Sequence, residues 1–290
     1  MIPANDPEAV RRLYYTDESW RIRQSTHDQY SVPPVDFTAW ALGCVRWRGD
    51  ESVLDVGSGP GRWYTALKVK YPDLCYTALD LHEGMLAGHP GRHLAAVGHA
   101  ERLPFRDGSF DVVMANHMLY HVPDIEGAVR EFRRVLRPDG LIMATTNSAQ
   151  NMPELQVLLR RAVTLLVPPG TSQFQVPAAP SDLFTLETGT RLLARYFYGV
   201  VRYDLPSQLV FPSVEPVLEY LESTRPMREP QLPLGVHWDD MMVIVREQIN
   251  RLIDHFGELV ISKLIGVLVA TDRGDFLQEY MERRAHAQAR

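Results

Sequence analysis

Gly57, Gly59 and Gly61 stand at alternate positions directly behind Val53-Leu54-Asp55-Val56, where a chain leaving a strand must turn to enter a helix. Missing side chains at such a turn let a ligand lie against the backbone and the free N–H groups of the helix N-terminus. Three ligand classes use turns of this kind. A dinucleotide site calls for G-x-G-x-x-G, its third glycine one place later than here. A phosphate-binding loop ends in Gly-Lys-Ser/Thr, and Arg62-Trp63 lacks the hydroxyl that would hold magnesium. The spacing remains compatible with a phosphate-free ligand, or with glycines that only make a tight turn. Asp80, followed by Leu81, lies at the end of a second apolar run. A carboxylate there can accept both hydroxyls of a ribose, and it can equally cap a helix starting near His82.

The elements that would hold these residues follow from hydrophobic patterning. Short apolar runs at 52–56, 75–79, 94–97, 110–115 and 141–145 predict five strands separated by helical patterns, the signature of a parallel sheet covered on both faces. Between the last two, Ile125, Ala128, Val129, Phe132, Val135 and Leu136 recur at helical spacing, and Arg137-Pro138-Asp139-Gly140 predicts a turn behind them. Further helices are expected over 152–167, 187–196 behind a Thr185 cap, 214–222, 238–256 and 276–287. The stretches 200–211 and 259–270 read as strands, and the proline-rich stretch 167–182 as a loop or lid.

Composition narrows the function. A chain of 290 residues with 45% hydrophobic content can bury a substantial core. Its 30 basic and 36 acidic residues, a formal charge of −6, offer nucleic acid no general attraction. The start MIPANDPEAVRR lacks a secretory pattern, and the run 259–270 is too short for a bilayer, so no membrane association and a cytoplasmic location are expected. Cys44 and Cys75 form no metal or CxxC spacing and are expected as buried thiols. His117 and His121 are four apart without the glutamate of a zinc-protease helix, so no metal is expected.

Taken in order, residues 53–63, Asp80, Gly98-His99-Ala100-Glu101-Arg102-Leu103-Pro104-Phe105, Phe110-Asp111 and Arg137-Pro138-Asp139-Gly140 resemble a class I S-adenosylmethionine-dependent methyltransferase, of the ubiquinone/menaquinone C-methylase-like branch (methyltransferase type 11). The resemblance is strong over about 50–147. It implies a Rossmann-like, doubly wound α/β fold with a seven-stranded, mostly parallel sheet of order 3-2-1-4-5-7-6 and an antiparallel last strand. It further implies a helical N-terminal lid over 1–49 and a methyltransferase domain over 50–290, with substrate-cap insertions near 148–185 and 224–256. The cofactor would be S-adenosylmethionine, leaving as S-adenosylhomocysteine.

Carried onto this sequence, the resemblance places Gly57, Ser58, Gly59 and Gly61 around the amino-acid end of the cofactor, with Asp55 ordering the loop through backbone donors. Asp80 with Leu81 would hold the ribose, His99 and Ala100 the adenine, and the backbone of Asn116 would touch the cofactor. Related sequences usually carry an acid where His99 stands. An imidazole can accept from the adenine amino group only through a bare nitrogen, so acid should weaken that contact. Tyr30, in the aromatic-rich N-terminal segment, is the candidate to reach the cofactor carboxylate or seal the pocket. His121 and His117 follow the fourth strand on the reactive edge and are the candidate bases for a nucleophile that must lose a proton. Asn147 lies on the same edge. The expected activity is methyl transfer to an O, N or C nucleophile of a small, aromatic or hydrophobic metabolite by a monomer or homodimer. Methylation of a tRNA or protein, and a catalytically inactive cofactor-binding sensor or partner, are the alternatives.

Overall fold

Alternation of apolar side chains sets the architecture of the computed structural model, which describes residues 5–168, 174–276, 278 and 280–282. The chain opens with helices α1 (Pro7–Leu13) and α2 (Glu18–Tyr30), a short strand β1 (Ser31–Val32) and helix α3 (Phe37–Leu42). Then come β2 (Ser52–Val56), α4 (Arg62–Lys70), β3 (Cys75–Asp80), α5 (Glu83–Leu86), β4 (Ala95–Val97) and β5 (Phe110–Asn116). Helix α6 (Ile125–Val135) leads into β6 (Leu136–Asn147) and α7 (Pro153–Leu166). Helix α8 (Leu186–Leu193), β7 (Gly199–Phe211), α9 (Glu215–Glu222), α10 (Arg225–Arg228), α11 (Trp238–Phe256) and β8 (Leu259–Thr271) complete it.

One sheet runs β1-β7-β8-β6-β5-β2-β3-β4. Strands β4, β3, β2, β5 and β6 are mutually parallel, and β8 lies antiparallel between β6 and β7. Leaving β1 aside, this is the expected Rossmann-like order. The correction is the eighth strand. Ser31 and Val32 pair with Leu209 and Gln208 and cover part of the edge that β7 would otherwise expose. A second difference concerns Arg137-Pro138-Asp139-Gly140: α6 passes straight into β6, and the expected turn is absorbed as an irregularity, Phe110 pairing with Leu136 but Val112 with Leu141. Cys44 is buried as expected, whereas Cys75, first in β3, is exposed. Most of the helix expected over 276–287 lies outside the described residues, as do 169–173 of the expected loop.

Because successive side chains of a strand face opposite ways, Leu54, Val113, Ala115 and Ile142 meet Phe132 of α6 and Leu186 of α8 on one face. Their neighbours Val53, Val112, Met114 and Met143 meet Leu67 of α4 and Leu42 of α3 on the other. A third cluster is separate. Strands β7 and β8 pair along their whole lengths, yet β6 ends at Asn147 opposite Ile265, so the hairpin continues past the edge where the parallel strands end. There Leu209, Phe211, Leu259 and Ile261 gather α7, α9 and α11 into a cap.

Helix α6 carries the expected apolar face, and its N-terminus is fixed by the Asp124 carboxylate accepting from the Gly127 N–H. Phe132 is fully buried at its centre. Phe132→Ala should lower the unfolding free energy by about 3–5 kcal/mol, read as a lower urea midpoint with an unchanged denaturant slope.

Candidate active site

The chain leaves β2 through three left-handed glycines, Gly57 (φ 69°), Gly59 (φ 54°) and Gly61 (φ 83°). The Gly57 and Ser58 N–H groups both donate to the Leu79 carbonyl, at 2.7 and 3.1 Å, and the Gly59 N–H donates to the Asp80 carboxylate at 3.0 Å. A Cβ on Gly57 would come within 2.7 Å of the Met118 Cβ, so side chains are excluded by space as well as by conformation. Gly61 turns away. It caps α4 and packs against His89 and Pro90, outside the cavity lining.

Above the turn is a cavity of about 420 Å³. Gly57, Ser58, Gly59, Asp80 and Leu81 line it, as do His99 and Ala100. Asn116, His117 and His121 line the side toward β5, and Asn147 also reaches it. The second Asp80 oxygen accepts from the His82 N–H at 2.9 Å, so one carboxylate ties the glycine turn to the start of α5. Each oxygen keeps a lone pair for a further donor. Ser58 Oγ is buried without a partner, and the buried Asn116 amide faces the Asp55 carboxylate. Buried polar atoms are nearly always satisfied, so Ser58 Oγ is a site where a ligand would supply the missing bond.

Asp55 and Tyr30 do not line this cavity. Instead of ordering the loop through backbone donors, Asp55 accepts from the Tyr76 hydroxyl and faces the Asn116 amide. Burial pushes its carboxyl up to about 7, an effect opposed by that hydroxyl. Tyr30 ends α2 beside β1 and packs its ring on Phe211, 4.9 Å away in the cap. The tyrosine that enters the cavity from the N-terminal segment is Tyr14. Its hydroxyl shares a 2.8 Å hydrogen bond with His121 Nε2 and receives one of 3.4 Å from Arg23. Arg62, at the start of α4, reaches back to Thr38 at 2.8 Å and Asp28 at 3.3 Å, fastening the N-terminal helices over the glycine turn.

Both candidate bases are dry. His117 has a left-handed backbone (φ 51°), donates its N–H to Thr145 and lies 5.6 Å from the Phe37 ring. His121 sits edge-on to the Tyr14 and Tyr120 rings, and its Nδ1 is buried without a partner. Burial, aided by Lys263 and Arg62, lowers His117 to about 4, and burial with Arg23 lowers His121 to about 3. The imidazoles are therefore neutral at pH 7 and weak as bases. Facing them are Lys263 on β8 and His27 on α2, which sequence reading passed over. The signal for Lys263 was present, since it is the cation interrupting the apolar run of β8. Among the described residues no helix is long and apolar enough to cross a membrane, and no group of three or more His, Cys, Asp or Glu side chains could hold a metal ion.

Comparison with known proteins bears on one half of this arrangement. Residues 54–144 match the methyltransferase domain family. A malonyl-[acyl-carrier protein] O-methyltransferase of Geobacter sulfurreducens is 35% identical over 117 residues, 38% of this chain and 44% of its own. The enzyme of the same description from Xylella fastidiosa is 34% identical over 152 residues, 46% and 52% of the two chains. The chain thus spans about half the length of the curated relatives it matches. Among solved structures, phosphoethanolamine N-methyltransferase 2 of Haemonchus contortus, in complex with S-adenosyl-L-methionine, shares the fold with a TM-score of 0.55 at 15% identity, covering 92% of this chain and 60% of that one.

Because His117 and His121 are held below the ordinary histidine value of 6.5 in the folded state, the unfolded chain binds more protons as pH falls below it. These residues should therefore remove stability progressively from about pH 6.5 down toward 4 and 3. Urea midpoints measured across that interval should fall less steeply for the double variant His117→Gln, His121→Gln than for the parent, and parallel curves would contradict the assignment.

Proposed function

We infer, from the premise that residues 54–144 are an S-adenosylmethionine-dependent methyltransferase domain, that the chain transfers that methyl group to a nucleophile of a small aromatic or hydrophobic metabolite. The observation that carries the reading is one continuous cavity joining the glycine turn and Asp80 to a chamber walled by Tyr14, Trp20, Phe37, Tyr120 and Tyr220. Such walls suit a flat or apolar acceptor.

S-Adenosylmethionine, when bound, would supply a methyl group on a cationic sulfonium. The chain's own residues would do the following. Asp80, already fixed by two backbone donors, has lone pairs left for the ribose hydroxyls. Ser58, through its unpartnered Oγ, and Asn116 would bond the amino-acid end. His99 and Ala100, which line the same cavity, would contact the adenine. Tyr14, carried by the N-terminal segment and bonded to His121, would close the chamber and exclude water. In-line displacement depends chiefly on alignment, and imidazoles as dry as His117 and His121 are better at orienting an acceptor than at removing its proton. The malonyl-[acyl-carrier protein] enzymes do not by themselves identify the acceptor, because Tyr14, Arg23, His27 and Lys263 lie outside the residues that match the family.

Calorimetry should give S-adenosylhomocysteine binding to the parent protein, binding at least tenfold weaker to Asp80→Asn, and no heat from NAD. Incubation with methyl-labelled S-adenosylmethionine and a metabolite extract should then yield a labelled small molecule. Binding without any labelled product would instead support a sensor or partner protein.

A further inference from the structure

The chamber has a cationic end at Lys263, where among the described residues the Asp28 carboxylate acts on the ammonium only from beyond ion-pair contact. Lys263 lies on the part of β8 that continues past β6, opposite Ser207 of β7. It is only 8% exposed, it lines the cavity, and its Nζ donates to Ser31 Oγ at 3.0 Å. An ammonium has three protons to donate, and among the described residues this one has no carboxylate within 4.0 Å. His27 adds a Nδ1 that is shut off from solvent and has no partner. Arg23 lines the same end with its guanidinium on the Ser223 carbonyl and the Tyr14 hydroxyl, again without an acid.

The cavity's own acids are already engaged elsewhere. Asp28 bonds Arg62, Asp80 bonds the Gly59 and His82 N–H groups, and Glu101 accepts from the Asp124 N–H. A desolvated ammonium with one neutral partner is costly unless an anion completes it, and removing it from solvent gives the fold no return by itself. Charge therefore points to a ligand that brings its own negative group. One ammonium, one imidazole nitrogen and a partly engaged guanidinium match a single charge with two acceptor oxygens better than a phosphate dianion with three.

We propose that Lys263 and His27 form a carboxylate subsite, so that the methyl acceptor is a small aromatic or hydrophobic acid. This deepens, and rests on, the methyltransferase reading given above. The methionine part of the cofactor also carries a carboxylate, so two sources of the same chemistry must be told apart. The glycine turn follows β2 and Lys263 stands on β8, three places along the sheet, so the acceptor is the source taken here and the cofactor is the one the experiment must separate from it.

The test uses the full chain saturated with S-adenosylhomocysteine, so that the cofactor's carboxylate is already in place, and calorimetric titration with benzoate and phenylacetate against their neutral counterparts benzamide and phenylacetamide. The acids should bind at least tenfold tighter than the amides. Lys263→Met should abolish that preference while leaving S-adenosylhomocysteine affinity unchanged, and Lys263→Arg should retain it. Equal binding of acids and amides to the parent protein, or no binding of either acid, overturns the proposal without recourse to any variant. A loss of S-adenosylhomocysteine affinity in Lys263→Met overturns it as well, by assigning the ammonium to the cofactor. If the parent protein fails to bind S-adenosylhomocysteine yet takes the acids in a Lys263-dependent way, the methyltransferase reading falls and the carboxylate subsite stands.

Discussion

The Leu79 carbonyl accepts from both Gly57 and Ser58, and the adjacent Asp80 carboxylate accepts from Gly59, so three successive N–H groups of the glycine turn are anchored to the end of β3. The rest of the site depends on that tie. It bends the chain sharply where β2 ends and opens the floor of the cavity. It also leaves no room for side chains at Gly57, where Met118 closes in from behind. A carboxylate used in this way is both structural and available, because two backbone donors orient it without exhausting its lone pairs. Local fold and ligand recognition are thus set by the same few hydrogen bonds.

A second device positions the opposite wall. Strands β7 and β8 outrun β6, and their outer halves carry an apolar face against α7, α9 and α11 and a lysine toward the cavity. Burial on the cap side fixes register, since a slip of one residue would exchange apolar and polar faces. That register places Lys263 at the cavity and brings Ser31 to it from the short edge strand β1. The N-terminal segment is therefore joined to the sheet at two places, through Ser31 at β8 and through the bonds of Arg62 to Asp28 and Thr38 beside the glycine turn.

How much of this the sequence disclosed follows from the range over which each signal acts. Strands β2 and β5 were legible because Val53 and Leu54, or Val112 and Val113, sit within buried runs whose neighbours face opposite layers. The glycine turn and Asp80 were legible because their spacing is local. Ser31 and Val32 were not, since two residues have no period and become a strand only when the edge of β7 lies beside them. The Arg137-Pro138-Asp139-Gly140 signal was read too strongly, since parallel pairing with β5 on both sides of it absorbs the irregularity into β6. Tyr30 was named from the resemblance, which points to a tyrosine of the N-terminal segment without saying which. That Tyr14 lines the cavity follows from a contact across 107 residues, Tyr14 to His121, just as Lys263 meets Ser31 across 232.

Burial gives the two histidines and the lysine different parts to play. Burial in the chamber withdraws solvation from the charged forms inside it, which lowers His117, His121 and Lys263 alike, Lys263 to about 8. For the imidazoles the consequence is loss of basicity, leaving them as fixed, neutral hydrogen-bonding groups beside the reacting edge. For the lysine, whose ordinary value is far higher, the charge survives at neutral pH and acts in surroundings that screen it weakly. One physical cause thus weakens the imidazoles as bases and draws the lysine toward neutrality, while its remaining charge meets the chamber in surroundings that screen it weakly.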